Sequence, residues 1–144
     1  CRCDDYVCQG VPSNSSCNGP TVIPLAGGFG ADSITGSTGA ANNDFNLSCL
    51  SRDGSDVVYS IEVPEAALEL VARVVGASFD PALEIRQGTC TDNALTPVWC
   101  VDDVRYPDVL LPEVRVAEPE AGTYYIVVDA FAGEGAFTLE VAVL

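Results

Sequence analysis

Four times between residues 54 and 141 the chain passes from a turn former into alternating β-branched or aromatic residues, and this period of two restricts what it can fold into. The phrases are Gly-Ser-Asp-Val-Val-Tyr-Ser-Ile-Glu-Val at 54–63, Ser-Phe-Asp-Pro-Ala-Leu-Glu-Ile at 78–85, Ala-Gly-Thr-Tyr-Tyr-Ile-Val-Val-Asp-Ala at 121–130 and Gly-Ala-Phe-Thr-Leu-Glu-Val at 135–141. Successive side chains of a strand point to opposite sides. Val57, Tyr59, Ile61 and Val63 therefore share one face, and Val58, Ser60 and Glu62 the other. The same rule sets Leu68, Leu70, Ala72 and Val74 against Glu69, Val71 and Arg73, and Leu83 and Ile85 against Glu84 and Arg86. Phe137, Leu139, Val141 and Val143 alternate with Thr138, Glu140 and Ala142, while residues 124–129 are apolar enough for a central strand. Turn formers at Asp53-Gly54, Gly76, Gln87-Gly88, Ala121-Gly122 and Gly133-Glu134-Gly135 separate the runs.

Short strands at this spacing predict an all-β chain, an antiparallel two-sheet β-sandwich over residues 50–144. Its expected core holds Tyr59, Ile61, Leu70, Leu83, Ile85, Tyr124, Ile126, Val128, Phe137, Leu139 and Val141. Residues 64–70 compete as helix, being helix formers behind a Pro at a tolerated first position. The alternation running on through Val74 assigns strand from Leu68 onward.

The first twenty residues hold four of the seven cysteines and almost no apolar periodicity, so they read as a disulfide-tied arm rather than a strand pair. Thr21, Val22, Ile23 and Leu25 form a short apolar piece, which Pro24 confines to a sheet edge. Residues 26–44 are rich in Gly, Ala, Ser, Thr, Asn and Asp and read as loop. The expected division is a cysteine-rich arm over 1–28 and a sandwich domain over 29–144.

Seven cysteines in 144 residues point to an oxidising compartment, and a start at Cys1 with no Met points to a processed product, hence secretion or the cell surface. No apolar run approaches the roughly 20 residues that span a bilayer, so membrane insertion is not expected. With 21 acids against six arginines and a net charge of −15, nucleic acid and anionic lipid are excluded as partners. The absence of His removes the usual general base and the commonest transition-metal ligand. Nothing in the carboxylate pattern marks an acid–base pair, and no enzyme is expected.

The four phrases resemble the bacterial pre-peptidase C-terminal domain. Residues 56–61 look like its opening strand, 79–85 like its middle strand, and 121–125 with 135–139 like its closing hairpin. The resemblance covers about residues 54–141. It implies a jelly-roll-like sandwich serving as a non-catalytic accessory or adhesive module, calcium-binding in some members.

The candidate sites follow from residue chemistry. Cys90 and Cys100 flank a loop and are expected to pair, with Trp99 packed on the bridge. Cys17 and Cys49 would then pin the arm to the sandwich, leaving Cys1, Cys3 and Cys8 without assigned partners. The odd thiol has three readings: a buried free cysteine, a bridge to another chain, or acylation of Cys1 as a lipid anchor. A Cys-only zinc site is disfavoured because the arm lacks paired CxxC spacing. Carboxylates at Asp53/Asp56, Asp80, Asp102/Asp103 with Asp108, and Asp129 fall where strands meet loops. Calcium prefers such oxygen ligands, and Asp102, Asp103 and Asp129 are its leading candidates. Tyr6, Trp99 and Tyr106 are the aromatics open to a sugar- or peptide-binding role. Asn14 and Asn46 open N-glycosylation triplets.

Two functional readings follow. In the first, the chain is a non-catalytic structural subunit that assembles with copies of itself into surface filaments. The segment at Thr21, Val22, Ile23 and Leu25 would add to a neighbour's sheet edge. The alternative is a secreted binding or targeting module for a surface protein or polysaccharide, calcium-dependent or not. The sequence alone favours assembly, because a free-standing chain has nothing attached to target.

Overall fold

A computed structural model describes residues 2–4, 7–9, 11–50, 54–91, 96–102 and 111–144, the first two stretches by backbone alone. β1 (Arg2–Asp4) and β2 (Val7–Gln9) form a hairpin with Cys3 opposite Cys8, so the expectation of no strand pair in the arm is corrected. The body follows as β3 (Thr21–Val22), β4 (Gly30–Ser37), β5 (Val57–Val63), β6 (Glu69–Ala77), β7 (Asp80–Gln87), β8 (Val98–Val101), β9 (Glu113–Ala117), β10 (Gly122–Ala132) and β11 (Ala136–Val143).

A five-stranded sheet runs β3-β5-β10-β7-β8, and a four-stranded sheet runs β4-β11-β6-β9. Apart from β8, which follows β7 in the same sheet, each strand from β4 to β11 lies in the sheet opposite its predecessor, the interleaved Greek keys of a jelly roll. This is the two-sheet antiparallel sandwich the alternation predicts. All eleven expected core residues are buried between the sheets, joined by Val114 and Val116 of β9. Residues 64–67 form a turn rather than a helix, with Ala66 at φ 64°, and β6 begins at Glu69. Leu68, assigned to the core face, is instead 71% exposed, because it lies beyond the strand end with its N–H donated to the Leu144 carbonyl.

β4 is the element the sequence reading lacked, an edge strand within residues read as loop. It is built of Gly, Ala, Asp, Ser, Ile and Thr, and pairs along its whole length with β11, from Gly30↔Val143 to Ser37↔Ala136. Only Ile34 gives it an apolar contact with the core, so there is no alternation to read. At Gly36 the sheets come too close for a side chain. An added Cβ would overlap the Tyr59 hydroxyl and lie 2.7 Å from Phe137 Cζ, where Tyr59 and Phe137 meet edge to face at 6.4 Å.

The arm segment lies against its own chain. Thr21 and Val22 pair in parallel with Tyr59 and Ser60 of β5, the Ile23 N–H donates to the Ser60 carbonyl at 2.8 Å, and Ile23 is buried in the core. The expected edge docking is present, on the chain's own edge. Leu25 packs on the core before a 3₁₀ turn, Ala26–Gly28, leads into β4.

Gly36→Ala is expected to cost about 1–3 kcal/mol through overpacking. Adding Tyr59→Phe should recover part of this, since it removes the hydroxyl that the new methyl meets. Denaturant melts of the four variants in a double-mutant cycle test this; strict additivity would contradict the contact.

Candidate functional site

The two sheets differ in what covers their outer faces. On the five-stranded sheet the outward rows, set by strand register, are Val58–Val127–Glu84–Cys100 and Ser60–Tyr125–Arg86–Val98. Of the residues connecting β4 to β5, the described stretches 38–50 and 54–56 supply the cover of this face. They bury Phe45 and Leu47 against Val58, Val127 and Ala82 in a second, smaller core. The chain leaves β4 at Thr38, fully buried, whose N–H donates to the Gly135 carbonyl and whose Oγ1 accepts the Gly135 N–H.

Glu84 and Arg86, which alternation alone places on a solvent face, are 1% and 2% exposed beneath this cover. Arg86 Nε donates to Glu84 Oε2 at 2.7 Å, Nη1 to the Cys90 carbonyl at 2.8 Å and Nη2 to the Asn46 carbonyl at 3.3 Å. The guanidinium stands 5.2 Å from the centroid of the Phe45 ring. The other Glu84 oxygen accepts the Ser48 N–H at 3.2 Å and its hydroxyl at 3.0 Å. Buried charges of this kind persist only when paired and hydrogen-bonded, and here the partners come from the covering segment.

Two disulfides fix the cover, and they correct the expected pairings. Cys17 bonds Cys90 and Cys49 bonds Cys100, in place of Cys90–Cys100 and Cys17–Cys49. Cys100 stands opposite Glu84 on β8, where the covering segment brings Cys49, whose N–H donates to the Cys100 Sγ at 3.3 Å, while Cys90 lies beyond the end of β7 and takes Cys17. Trp99 and Cys100 point to opposite faces, so Trp99 turns into the core against Tyr124 at 6.5 Å and does not pack on a Cys90–Cys100 bridge.

A carboxylate pair closes one end of the covered face. Asp56, fully buried, accepts the Asp44 N–H at 3.2 Å and the Phe45 N–H at 3.0 Å, while Asp129 Oδ1 accepts the N–H groups of Gly54 and Ala130. Burial pushes the Asp56 carboxyl up to about 8, against the Phe45 amide that favours the charged form, and the Asp129 charge adds to the rise. Of the calcium candidates, Asp129 thus neighbours Asp56 rather than Asp102. Asp129 is opposite Ala82 of β7, and Asp102 follows Val101 on the far side of that strand. Two strand spacings, about 9–10 Å of backbone, therefore separate them. Among the described residues no group of three acidic or cysteine side chains is placed to hold a metal. Asp103, Asp53, Asp108, Tyr6, Tyr106 and Cys1 lie outside the described residues. Asn46 is exposed, whereas Asn14 is half-buried, with its side chain hydrogen-bonded to Tyr59.

The outer face of the four-stranded sheet is open. Ala31, Val71 and Ala142 share a register row there, and Ser33, Glu140, Arg73 and Glu113 share the next outward one. Arg73 binds Glu140 at 2.6 Å and approaches Glu113 at 4.0 Å; Arg115 binds Glu69 at 2.7 Å and Glu113 at 3.2 Å. Glu113 therefore links two guanidiniums that are each half exposed, and its hydrogen bond holds Arg115 above its ordinary value. Between the charged row and the chain end is a groove of about 360 Å³ floored by Ala31, Val71, Ala142 and Leu144.

No protein-family model matches the chain, and no curated protein matches it. A solved structure does. The crystal structure of PliG from Aeromonas hydrophila, a periplasmic lysozyme inhibitor of g-type lysozyme, aligns with a TM-score of 0.52 at 13% sequence identity. The alignment covers 87% of this chain and 96% of that one. At this identity the likeness is one of fold, and it takes in nearly the whole of the neighbour.

Two outcomes follow from the covered face. Non-reducing peptide mapping is expected to recover Cys17 joined to Cys90 and Cys49 joined to Cys100; a peptide joining Cys90 to Cys100 would overturn this connectivity. The second concerns pH. The folded Asp56 carboxyl titrates above its unfolded value, so its contribution to stability is full below about pH 4 and is lost as pH rises towards about 8. Asp56→Asn, which cannot ionise, should flatten the pH dependence across that window and be the more stable protein at its upper end. Urea melts across the window check this, and a parent that stays the more stable at pH 8 would contradict it.

Proposed function

We propose that the chain is a non-catalytic, exported binding module whose partner is a protein, acting as an inhibitor-type module on a lysozyme. The observation that carries this reading is the fold shared with the periplasmic inhibitor across 96% of that chain, which supports a common architecture rather than a shared fragment. Two intrachain disulfides suit an oxidising compartment outside the cytoplasm. The resemblance to accessory sandwiches of secreted hydrolases points in the same direction.

The buried charges serve the cover rather than a reaction: Glu84, Arg86 and Asp56 spend their hydrogen bonds on residues 44–48 and Cys90. The assembly reading has less to draw on. Ile23 is packed in the chain's own core, and Cys17, Cys49, Cys90 and Cys100 are all bonded within the chain.

With a net charge of −15, encounter with a cationic partner is accelerated and made salt-dependent. The purified chain should slow bacterial cell lysis by a g-type lysozyme and co-elute with it in gel filtration, both effects weakening as salt is raised. An undiminished lysis rate at excess chain, with no co-elution, refutes the reading.

A further inference from the structure

We propose that the partner seats on the outer face of the four-stranded sheet, inserting an apolar protrusion flanked by cationic side chains into the groove floored by Val71, Ala142 and Leu144. The proposal rests on the protein-binding reading above and adds the face and the partner's chemistry.

Four independent features meet on this face. The first is coverage: on the other sheet Phe45 and Leu47 pack over Val58, Val127 and Ala82, whereas here Arg73 and Arg115 are each about half exposed. The second is the distribution of exposed apolar side chains. Leu144 follows Val143 on β11, and Phe29 precedes Gly30, the register partner of Val143. Phe29 and Leu144 thus end the same outward row, at 44% and 56% exposure, next to the row of Ala31, Val71 and Ala142. Clustered apolar surface with a polar rim marks interaction sites, whereas scattered single residues do not. The third is fixed arginines. Protein interfaces favour Arg at their energetic centres, and Glu69, Glu113 and Glu140 hold these two in place before any partner arrives.

The fourth feature is charge, which selects the occupant. Glu69, Glu113 and Glu140 outnumber the two arginines, so the rim is anionic on a chain of net charge −15. A second copy would bring the same excess of negative charge to the same place and be repelled. A cationic protein is drawn in, and the spare carboxylate oxygens of the rim are acceptors for its Lys or Arg. A small-residue floor at Ala31 and Ala142 leaves room for a side chain from the partner to enter.

Ala142→Arg tests this by filling the groove and placing a cation at its centre. It faces outward on β11, so the sandwich should keep its melting temperature and circular dichroism. Binding to the g-type lysozyme of the assay above, measured by calorimetry, should weaken at least about tenfold. Thr91→Arg, exposed beside Cys90 and Cys17 on the covered side, is the control and should bind as the parent does. If Ala142→Arg fails to fold, Ala31→Arg on the edge strand repeats the test in the same row. Parent-like affinity of the groove variant, or loss confined to Thr91→Arg, overturns the proposed face while leaving the functional reading intact. A parent chain that sediments as a dimer broken by Ala142→Arg overturns the choice of occupant. No binding by the parent at all overturns the reading and this proposal together.

Discussion

One buried ion pair organises an entire face of this molecule. Arg86 and Glu84 sit two residues apart on the same side of β7, where a lone charge would be costly to desolvate, and they satisfy each other with a single hydrogen bond. Further bonds are met by the Asn46 carbonyl and by Ser48 of the covering segment, and by the Cys90 carbonyl just beyond the end of β7. The sheet therefore needs its cover as much as the cover needs the sheet. Removing the cover would expose Val58, Val127 and Ala82 to water and take the Ser48 and Asn46 hydrogen bonds from the pair.

This coupling buries part of β5, β10 and β7 on both sides, packed inwardly on the four-stranded sheet and outwardly on the segment of Phe45 and Leu47. The molecule is in effect three layers thick on one side and open on the other. Such asymmetry suits a binding module. The rigid, doubly buried layer supplies the frame, and the open sheet presents its side chains from strands rather than loops, with Glu113 fixing the spacing of Arg73 and Arg115. Two disulfides hold the covered side shut, and their long sequence separations, 73 and 51 residues, constrain the unfolded chain strongly.

Much of the sandwich was legible in the sequence because one face of each central strand is apolar and the other is not. Tyr59, Ile61, Leu139 and Val141 announce their inward direction by period alone. What stayed hidden had physical reasons. β4 has Gly, Ser and Thr where a strand usually shows apolar alternation, since it touches the core chiefly through Ile34 and is held by backbone pairing with β11. Glu84 and Arg86 read as solvent-facing because periodicity reports the side of a sheet and is silent on whether a loop crosses it. The disulfides followed from that same cover: without knowing that Ser48 and Cys49 lie over β7 and β8, nothing tells Cys49 from Cys17 as a partner. The face proposed for the partner was invisible for a different reason. Its parts, Ala31, Val71, Arg73, Arg115 and Ala142, come from four strands scattered along the chain and carry no motif.

The position of β4 also governs the order in which the chain can fold. Among the described strands its partner is β11, the last of them in chain order, and the ladder joins Gly30 to Val143. Contacts so distant in sequence form late and slowly, because a large loop must close before any hydrogen bond rewards it. During synthesis β4 therefore waits with both edges unpaired, and the residues that follow it wait with Phe45 and Leu47 uncovered. Cys17 and Cys49 likewise emerge well ahead of Cys90 and Cys100. An oxidising enzyme acting in order of appearance would join the wrong pair, so native bridging depends on thiols kept unreacted, or reshuffled, until β7 and β8 are in place.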